Sequence, residues 1–393
     1  MRVSRLVAGM PDVGSRDLAR RVEAVRRQGV DVLPLMPYAQ QAVSPDVAEA
    51  VAREIGRNHE APSRGLPELC TAIAETLGSE LSQAIDGQRE VLITNGSMQA
   101  LNLVFQATLN PGDEVIIPSP CYFFGGCVEL AGGRPVYVPM SEKDEYSWDV
   151  DQIAAAVTPR TAAIVVSTPV NPTGVVLSAP TLEAIVNVAA KHDLLIVSDE
   201  SYDTMVYDGL RHISIAQLPG ARGRTLIIRS FTKSFAMPAW RVGYVVGPQL
   251  LIDGCIKVLE WHQLHGNHVA QAGATAAIRK PTSFRDRMAV VFQGMRDVVY
   301  PVVAATEPLC VGRPSGGPFL FVGVGAVFPS SAVASDAFLR VGVPTTPGHY
   351  CRSDRHVRLA FGAAPDVLRE VGRRVDVAVR DALSGREIER AAP

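Results

Sequence analysis

The stretch TLIIRSFTKSFAMPAWRVGY, residues 225–244, runs from an apolar segment into one lysine, Lys233, set between the hydroxyl residues Thr232 and Ser234, with Arg241 eight positions on. Only five of the chain's 38 basic residues are lysines, namely Lys143, Lys191, Lys233, Lys257 and Lys280. Where arginine supplies nearly all the positive charge, a lysine at the mouth of an apolar strand points to a need for an amine. A guanidinium stays protonated, whereas a desolvated amine can be neutral and nucleophilic.

Upstream, apolar segments of strand length alternate with helical patterns. VLIT (91–94) precedes a helix from about 98 to 108, then a PGD turn and EVIIPS (114–119). RPVYVP (134–139), AAIVVS (162–167), a helix over 180–191, LLIVSD (194–199) and TLIIRS (225–230) follow. Near-continuous apolar strands separated by helices predict an α/β fold, a mostly parallel sheet sandwiched by helices. Helical stretches around 250–264 and 267–300 lead to strand-like GGPFLFVGV (316–324) and HVRLAFG (356–362), which predict a smaller α+β domain. Near the N-terminus, residues 16–29 space Leu18, Val22 and Val25 as an amphipathic helix ending on Gly29. The expected organisation is an N-terminal arm with part of the small domain over 1–44, a large cofactor-binding domain over 45–280, and a small C-terminal domain over 281–393.

Composition narrows the partners. A formal charge of −2, with 20% charged and 47% hydrophobic residues, gives no electrostatic reason to expect nucleic acid or an anionic membrane. No run approaches ~18 uninterrupted apolar residues, and the N-terminal apolar core is too short for a signal peptide. The six cysteines are scattered, without a CxxC, and fit reduced thiols in a cytoplasm. Eight histidines without metal-ligand spacing beside carboxylates assign no metal site.

In sheets of this kind, ligands sit at the C-terminal ends of strands. The residues there are Asn95-Gly96-Ser97, Cys121-Tyr122, Asn171 to Gly174, Asp199 to Tyr202, and Ser230 to Lys233. Singly, each reads as a turn, a cap or a solvated charge. Together they offer an amine, a carboxylate, a phenol, an amide and an anion cradle, the set required by pyridoxal 5'-phosphate. Its phosphate suits Gly96, Ser97 and Met98 opening a helix, with Ser230 and Arg241. Its ring nitrogen needs a carboxylate to stay protonated, and Asp199 ends an apolar strand. Asn171 and Tyr202 suit the cofactor's phenolic oxygen, and Tyr122 can stack on the ring. Lys233 is the expected Schiff-base amine and proton shuttle.

The chain resembles pyridoxal-phosphate enzymes of the aspartate aminotransferase fold, specifically the class I/II aminotransferase group. The resemblance runs through APSRGLPEL (61–69), NGSMQAL (95–101), LNPGDEVIIPSPCY (109–122), STPVNPTG (167–174), SDESYDTMVYDG (198–209), SFTKSFAMPAWRVGY (230–244) and VRLAFG (357–362). The intervals agree too: 28 residues from Asn171 to Asp199, three to Tyr202, and eight from Lys233 to Arg241. The resemblance implies that Arg358 grips the substrate α-carboxylate. It also implies a homodimer with sites shared between subunits, and a small domain that closes over an amino acid or keto acid.

At the substrate end the pattern departs from the family. Tyr38 falls roughly where the family has a glycine near the substrate carboxylate, and it either reshapes the pocket or points to solvent. Glu60 stands where the family usually has a tyrosine that reaches the other subunit's cofactor phosphate. A carboxylate there repels a phosphate unless paired or turned away, and Glu60 could instead recognise a cationic substrate group. His265 and His268 are either partners for Glu60 or ordinary surface histidines.

The expected reaction is transfer of an amino group from an L-amino acid to a 2-keto acid through Lys233. The alternative is a lyase, cyclase or oxidase of a specialised biosynthetic pathway on the same scaffold, since fold alone does not decide among them. A transcription regulator with an aminotransferase-like half needs an added N-terminal DNA-binding domain, for which the pattern leaves no room. A nicotinamide dehydrogenase needs a GxGxxG between strand and helix, which is missing.

Overall fold

The computed structural model describes residues 2–10, 12–38, 44–57, 60–280 and 284–385. Seven strands form the main sheet: β1 (Val91–Thr94), β2 (Glu114–Ser119), β3 (Arg134–Pro139), β4 (Thr161–Ser167), β5 (Leu195–Asp199), β6 (Thr225–Ser230) and β7 (Gly243–Val246), in the order β1-β7-β6-β5-β4-β2-β3. Neighbours from β6 through β3 are parallel, while β7 runs antiparallel to both β1 and β6.

Alternation along each strand sends side chains to opposite faces. Val115 and Ile117 of β2 and Leu226 and Ile228 of β6 pack with the helices Ser97–Thr108 and Gln249–Gln263. Ile116, Ile164, Val166 and Ile196 face the helix Ala179–Lys191 on the other side, and Ile93 and Ile227 meet the helix Pro67–Leu81. Both faces are covered, so these strands carry apolar residues throughout, each worth roughly 1.5–3 kcal/mol when fully buried.

A second, antiparallel sheet has the order β10-β11-β9-β8, from β8 (Cys310–Val311), β9 (Phe319–Gly323), β10 (Thr346–Pro347) and β11 (His356–Ala360). Its core gathers Phe319, Leu320, Val357 and Leu359 with residues of the helices Phe284–Ala304 and Pro365–Leu383, and includes Leu33 and Leu35 from the N-terminal segment.

Two expectations need correction. The stretch 267–300, read as one helix, is two, His268–Ile278 and Phe284–Ala304, because the residue before Pro281 is disfavoured in the α region. The strand β7 is absent from the expected strands: it follows β6 with no helix longer than one turn between them, so the alternation of strand and helix does not mark it. Its effect on the site is large. Being antiparallel, it begins at the same edge where β1 and β6 end, with Thr94 and Ser230 both paired to Gly243.

Candidate active site

A cavity of about 180 Å³ lies at the C-terminal ends of the parallel strands. Its walls include Ser97, Met98, Tyr122, Asn171, Asp199, Tyr202, Ser230, Lys233 and Arg241. Of the expected cofactor ligands only Gly96 is not itself a wall, and it supports one. A Cβ built on Gly96 would lie 2.4 Å from Nη2 of Arg241, and Gly96 has φ +83°, a conformation that favours glycine. On the other side, a Cβ on Gly243 would meet the Gly96 carbonyl carbon at 2.8 Å. The two glycines allow the arginine to lie across the start of the helix Ser97–Thr108, whose first amides have no intrahelical acceptor.

Lys233 sits in a single helical turn, Phe231–Ser234, that follows β6 directly. Ser230 caps it, its Oγ accepting the Thr232 N–H at 3.1 Å. Arg241 donates through Nη1 to Thr232 Oγ1 at 3.4 Å and to the Pro238 carbonyl at 3.1 Å. The Lys233 amine is brought down to about 7, first by burial, then by the guanidinium groups of Arg358 and Arg241, against the pull of Asp199. The amine is therefore substantially neutral at neutral pH.

Asp199 ends β5 and accepts the Ser201 N–H through Oδ1 at 3.0 Å. Its exposure is to the cavity it lines, so burial still dominates and raises its carboxyl above the ordinary value, with Ser201 and Lys233 opposing. A carboxylate in this position gains from a cation brought into the cavity. Beside it, burial also raises the Tyr202 phenol. The Tyr202 ring lies edge-on to Phe319, centroids 5.7 Å apart.

Arg358 reaches the cleft from β11 and is only 8% exposed. Nη1 donates to Asn171 Oδ1 at 2.9 Å and Nη2 to Thr346 Oγ1 at 3.2 Å. Its plane is held between Tyr122 and Phe319, 4.1 and 4.5 Å from the ring centroids. Each terminal nitrogen keeps a second N–H for a carboxylate. Tyr38, half-buried, sets its ring 5.3 Å from Lys233 Nζ, so it faces the cleft rather than bulk solvent. Glu60 is exposed and is not among the cavity walls. The ring of His265 engages the Gly266 carbonyl at 2.9 Å, and that of His268 the Arg57 carbonyl at 3.1 Å.

The sequence reading passed over Ser201, Ser167, Phe123 and Phe124, which also line the cavity, and Thr346, which supports Arg358. Ser201 lay inside the quoted SDESYDTMVYDG, yet nothing in its neighbours marks which serine turns inward. Behind the walls a buried ionic cluster also went unread. Arg229 is 4% exposed and pairs with Glu80 at 2.6 Å, Asp203 at 2.8 Å and Glu200 at 2.9 Å. Asp203 accepts from Ser234 Oγ at 2.8 Å, tying the lysine turn to the turn after β5. Although burial works against it, Arg229 and His212 hold Glu200 well down, at about 2.

These residues fit pyridoxal 5'-phosphate. Burial raises the Asp199 carboxyl in the cavity wall even though the Ser201 side chain and Lys233 pull it down, and the Gly96 cradle holds an arginine at a helix start. A carboxyl raised by burial gains from a cationic ring, and an arginine at a helix start gains from an anion.

The sequence profile described as aminotransferase class I and II matches residues 35–375. Aspartate/prephenate aminotransferase of Thermus thermophilus is 32% identical over 375 residues, 94% of this chain and 96% of that protein. An arginine–pyruvate transaminase of Pseudomonas aeruginosa is 35% identical over 337 residues, 84% of each chain. The solved structure of aspartate aminotransferase from Thermus thermophilus with maleate superposes with a TM-score of 0.91 at 32% identity, covering 96% of this chain and 100% of that one.

Proposed function

The chain belongs to the class I and II aminotransferases, and from that membership we propose that the strand-end cleft is its transamination site, with Lys233 as the catalytic amine. The protein is a pyridoxal-phosphate-dependent aminotransferase. The observation that supports the site assignment is the convergence of Lys233, Asp199 and the Asn171–Arg358 pair on one cavity.

When bound, pyridoxal 5'-phosphate supplies an aldehyde that condenses with amines and a ring that accepts electrons. Asp199 would hold the ring nitrogen. Asn171 and Tyr202 would hold the phenolic oxygen, and Tyr122 the ring face. Ser97, Met98, Ser230 and Arg241, beside Gly96, would hold the phosphate. Arg358 binds the substrate α-carboxylate through its two remaining terminal N–H groups, which orients Cα toward Lys233. Lys233 Nζ, in its neutral form, takes the Cα proton and returns it to the product. Tyr38 and Tyr202 set their rings 5.3 and 5.7 Å from Lys233 Nζ and so flank the amine.

The proposed assembly is a homodimer. Trp261 is 91% and Leu264 59% exposed at the end of the helix Gln249–Gln263, two adjacent apolar side chains that a second copy would cover. Glu60 enters the site reading only through such a dimer. Six cysteines left as thiols support a cytoplasmic setting. The domain boundaries near 44 and 280 are supported by the core that joins Leu33 and Leu35 to residues beyond 284.

The test is the visible spectrum of the holoenzyme during titration with amino acids. An amino acid alone should abolish the lysine-linked band and a 2-keto acid should restore it. Lys233→Ala should lack the band and lose activity by several orders of magnitude. A band that survives Lys233→Ala unchanged excludes this site.

A further inference from the structure

The cavity holding Lys233 is the smaller of two that share walls. A second one, of about 450 Å³, is lined by Met98, Tyr122, Phe123 and Phe124 in common with the first. We propose that this second cavity receives the substrate side chain and selects a bulky apolar or aromatic one over a short one. The inference rests on the site reading above.

Direction comes from Tyr122. Its ring carries the Arg358 guanidinium at 4.1 Å and touches Phe123, ring centroids 3.7 Å apart. A substrate whose carboxylate is bound by Arg358 therefore lies beside the wall common to both cavities. Phe123 has φ +79° and ψ −36°, the left-handed side of the map, which a bulky residue adopts only when its surroundings impose it. Such strain gathers at ligand clamps and switch points, and here it falls on the shared wall.

Size and chemistry give the class. The volume lies within the range of roughly 300–1,000 Å³ of ligand pockets and exceeds what a methyl or a short acid fills. The space exists partly because Gly126 contributes no side chain, a Cβ there meeting nothing nearer than Met10 Cε at 3.4 Å, whereas the place beside Gly125 is taken by the Tyr137 hydroxyl, 1.9 Å from where a Cβ would stand. Met10, Val13, Cys127 and Leu130 add apolar lining. The guanidinium among the walls, Arg352, donates to the Tyr137 hydroxyl at 2.7 Å and stacks 4.2 Å from its ring centroid, which fixes that side of the cavity.

The experiment compares wild-type holoenzyme with Gly126→Leu, whose side chain grows into the cavity, and with Leu130→Phe, one turn further along the same helix, which narrows it from the same wall. kcat/KM is measured for phenylalanine, tyrosine, alanine and aspartate. Binding of the unreactive acids 3-phenylpropanoate and succinate is measured by calorimetry. The wild type should favour the aromatic amino acids over alanine and aspartate by at least about tenfold, and bind 3-phenylpropanoate more tightly than succinate. Gly126→Leu should lower phenylalanine turnover about 30-fold and weaken 3-phenylpropanoate, while alanine changes by no more than about threefold. Leu130→Phe should act in the same direction. A wild type that prefers aspartate or alanine overturns the inference while leaving transamination intact, as does a variant that loses alanine and phenylalanine turnover equally. Failure of every amino acid to abolish the lysine-linked band would instead remove the site reading, and this inference with it.

Discussion

Lys233 is the residue proposed to carry the chemistry, and its environment gives it a pH signature. The amine stands at about 7 instead of the usual 10.5. Below 7 it is charged and cannot attack an aldehyde; above 7 it is neutral. Capture of pyridoxal 5'-phosphate by apoprotein should therefore rise as pH increases through 7 and level off by about pH 8, whereas an ordinary lysine would gain rate up to pH 10. Stopped-flow absorbance across pH 5.5–9.5 reads this directly. Arg358 gives a second expectation. Lysine in its place keeps charge but loses the fork that holds Asn171, Thr346 and a carboxylate at once. Arg358→Lys should raise KM for both amino and keto acid about 30- to 100-fold, with a smaller effect on kcat, in steady-state kinetics. At this scale the sequence was legible wherever a residue type is chemically indispensable, as with the lysine and the aspartate. It was silent where packing alone decides which side chain turns inward, as with Ser201 and Phe123.

Among the elements, the helix Ser97–Thr108 matters most because it starts at the cleft. Gly96 is required there twice over, by its φ of +83° and by the 2.4 Å approach of Arg241. With φ +83° and ψ 169°, Gly96 occupies a region essentially open only to glycine, so Gly96→Ala costs about 1–3 kcal/mol in backbone strain and displaces the guanidinium as well. Cofactor affinity should fall by about tenfold or more, read by equilibrium dialysis, while helix content by circular dichroism stays unchanged. The parallel strands were readable because burial on both faces makes them uniformly apolar, as in EVIIPS and AAIVVS. The break between the two helices that occupy 267–300 was harder to see. Helical periodicity persists on either side of Pro281, and only the proline marks the interruption.

Across the whole molecule, the cluster around Arg229 joins pieces that are far apart in sequence. It gathers Glu80, Glu200 and Asp203, and Arg285 of the helix Phe284–Ala304 bonds to Asp203 and pairs with Glu80. Arg229→Met leaves buried carboxylates short of their main cation and should cost about 3–5 kcal/mol in urea unfolding of the apoprotein. The pH dependence has a definite sign. Glu200 is depressed to about 2 from an ordinary 4.5, so its contribution to stability is complete above 4.5 and is lost as pH falls toward 2. Arg229→Met should blunt that acid loss. No sequence pattern announces such a cluster, because its members meet only after the sheet and the helices on it have assembled.

The antiparallel course of β7 has one further consequence. The chain leaves the sheet at Ser230 and re-enters it at Gly243, and these two residues are directly paired. Lys233 and Arg241 thus ride on a closed loop fastened at both ends to one rung of the ladder. An extra residue in that loop has to bulge outward, shift the Lys233 amine, or slip β7 by one position and turn its buried faces outward. The spacing between lysine and arginine is in this sense held by the mechanics of a clasp.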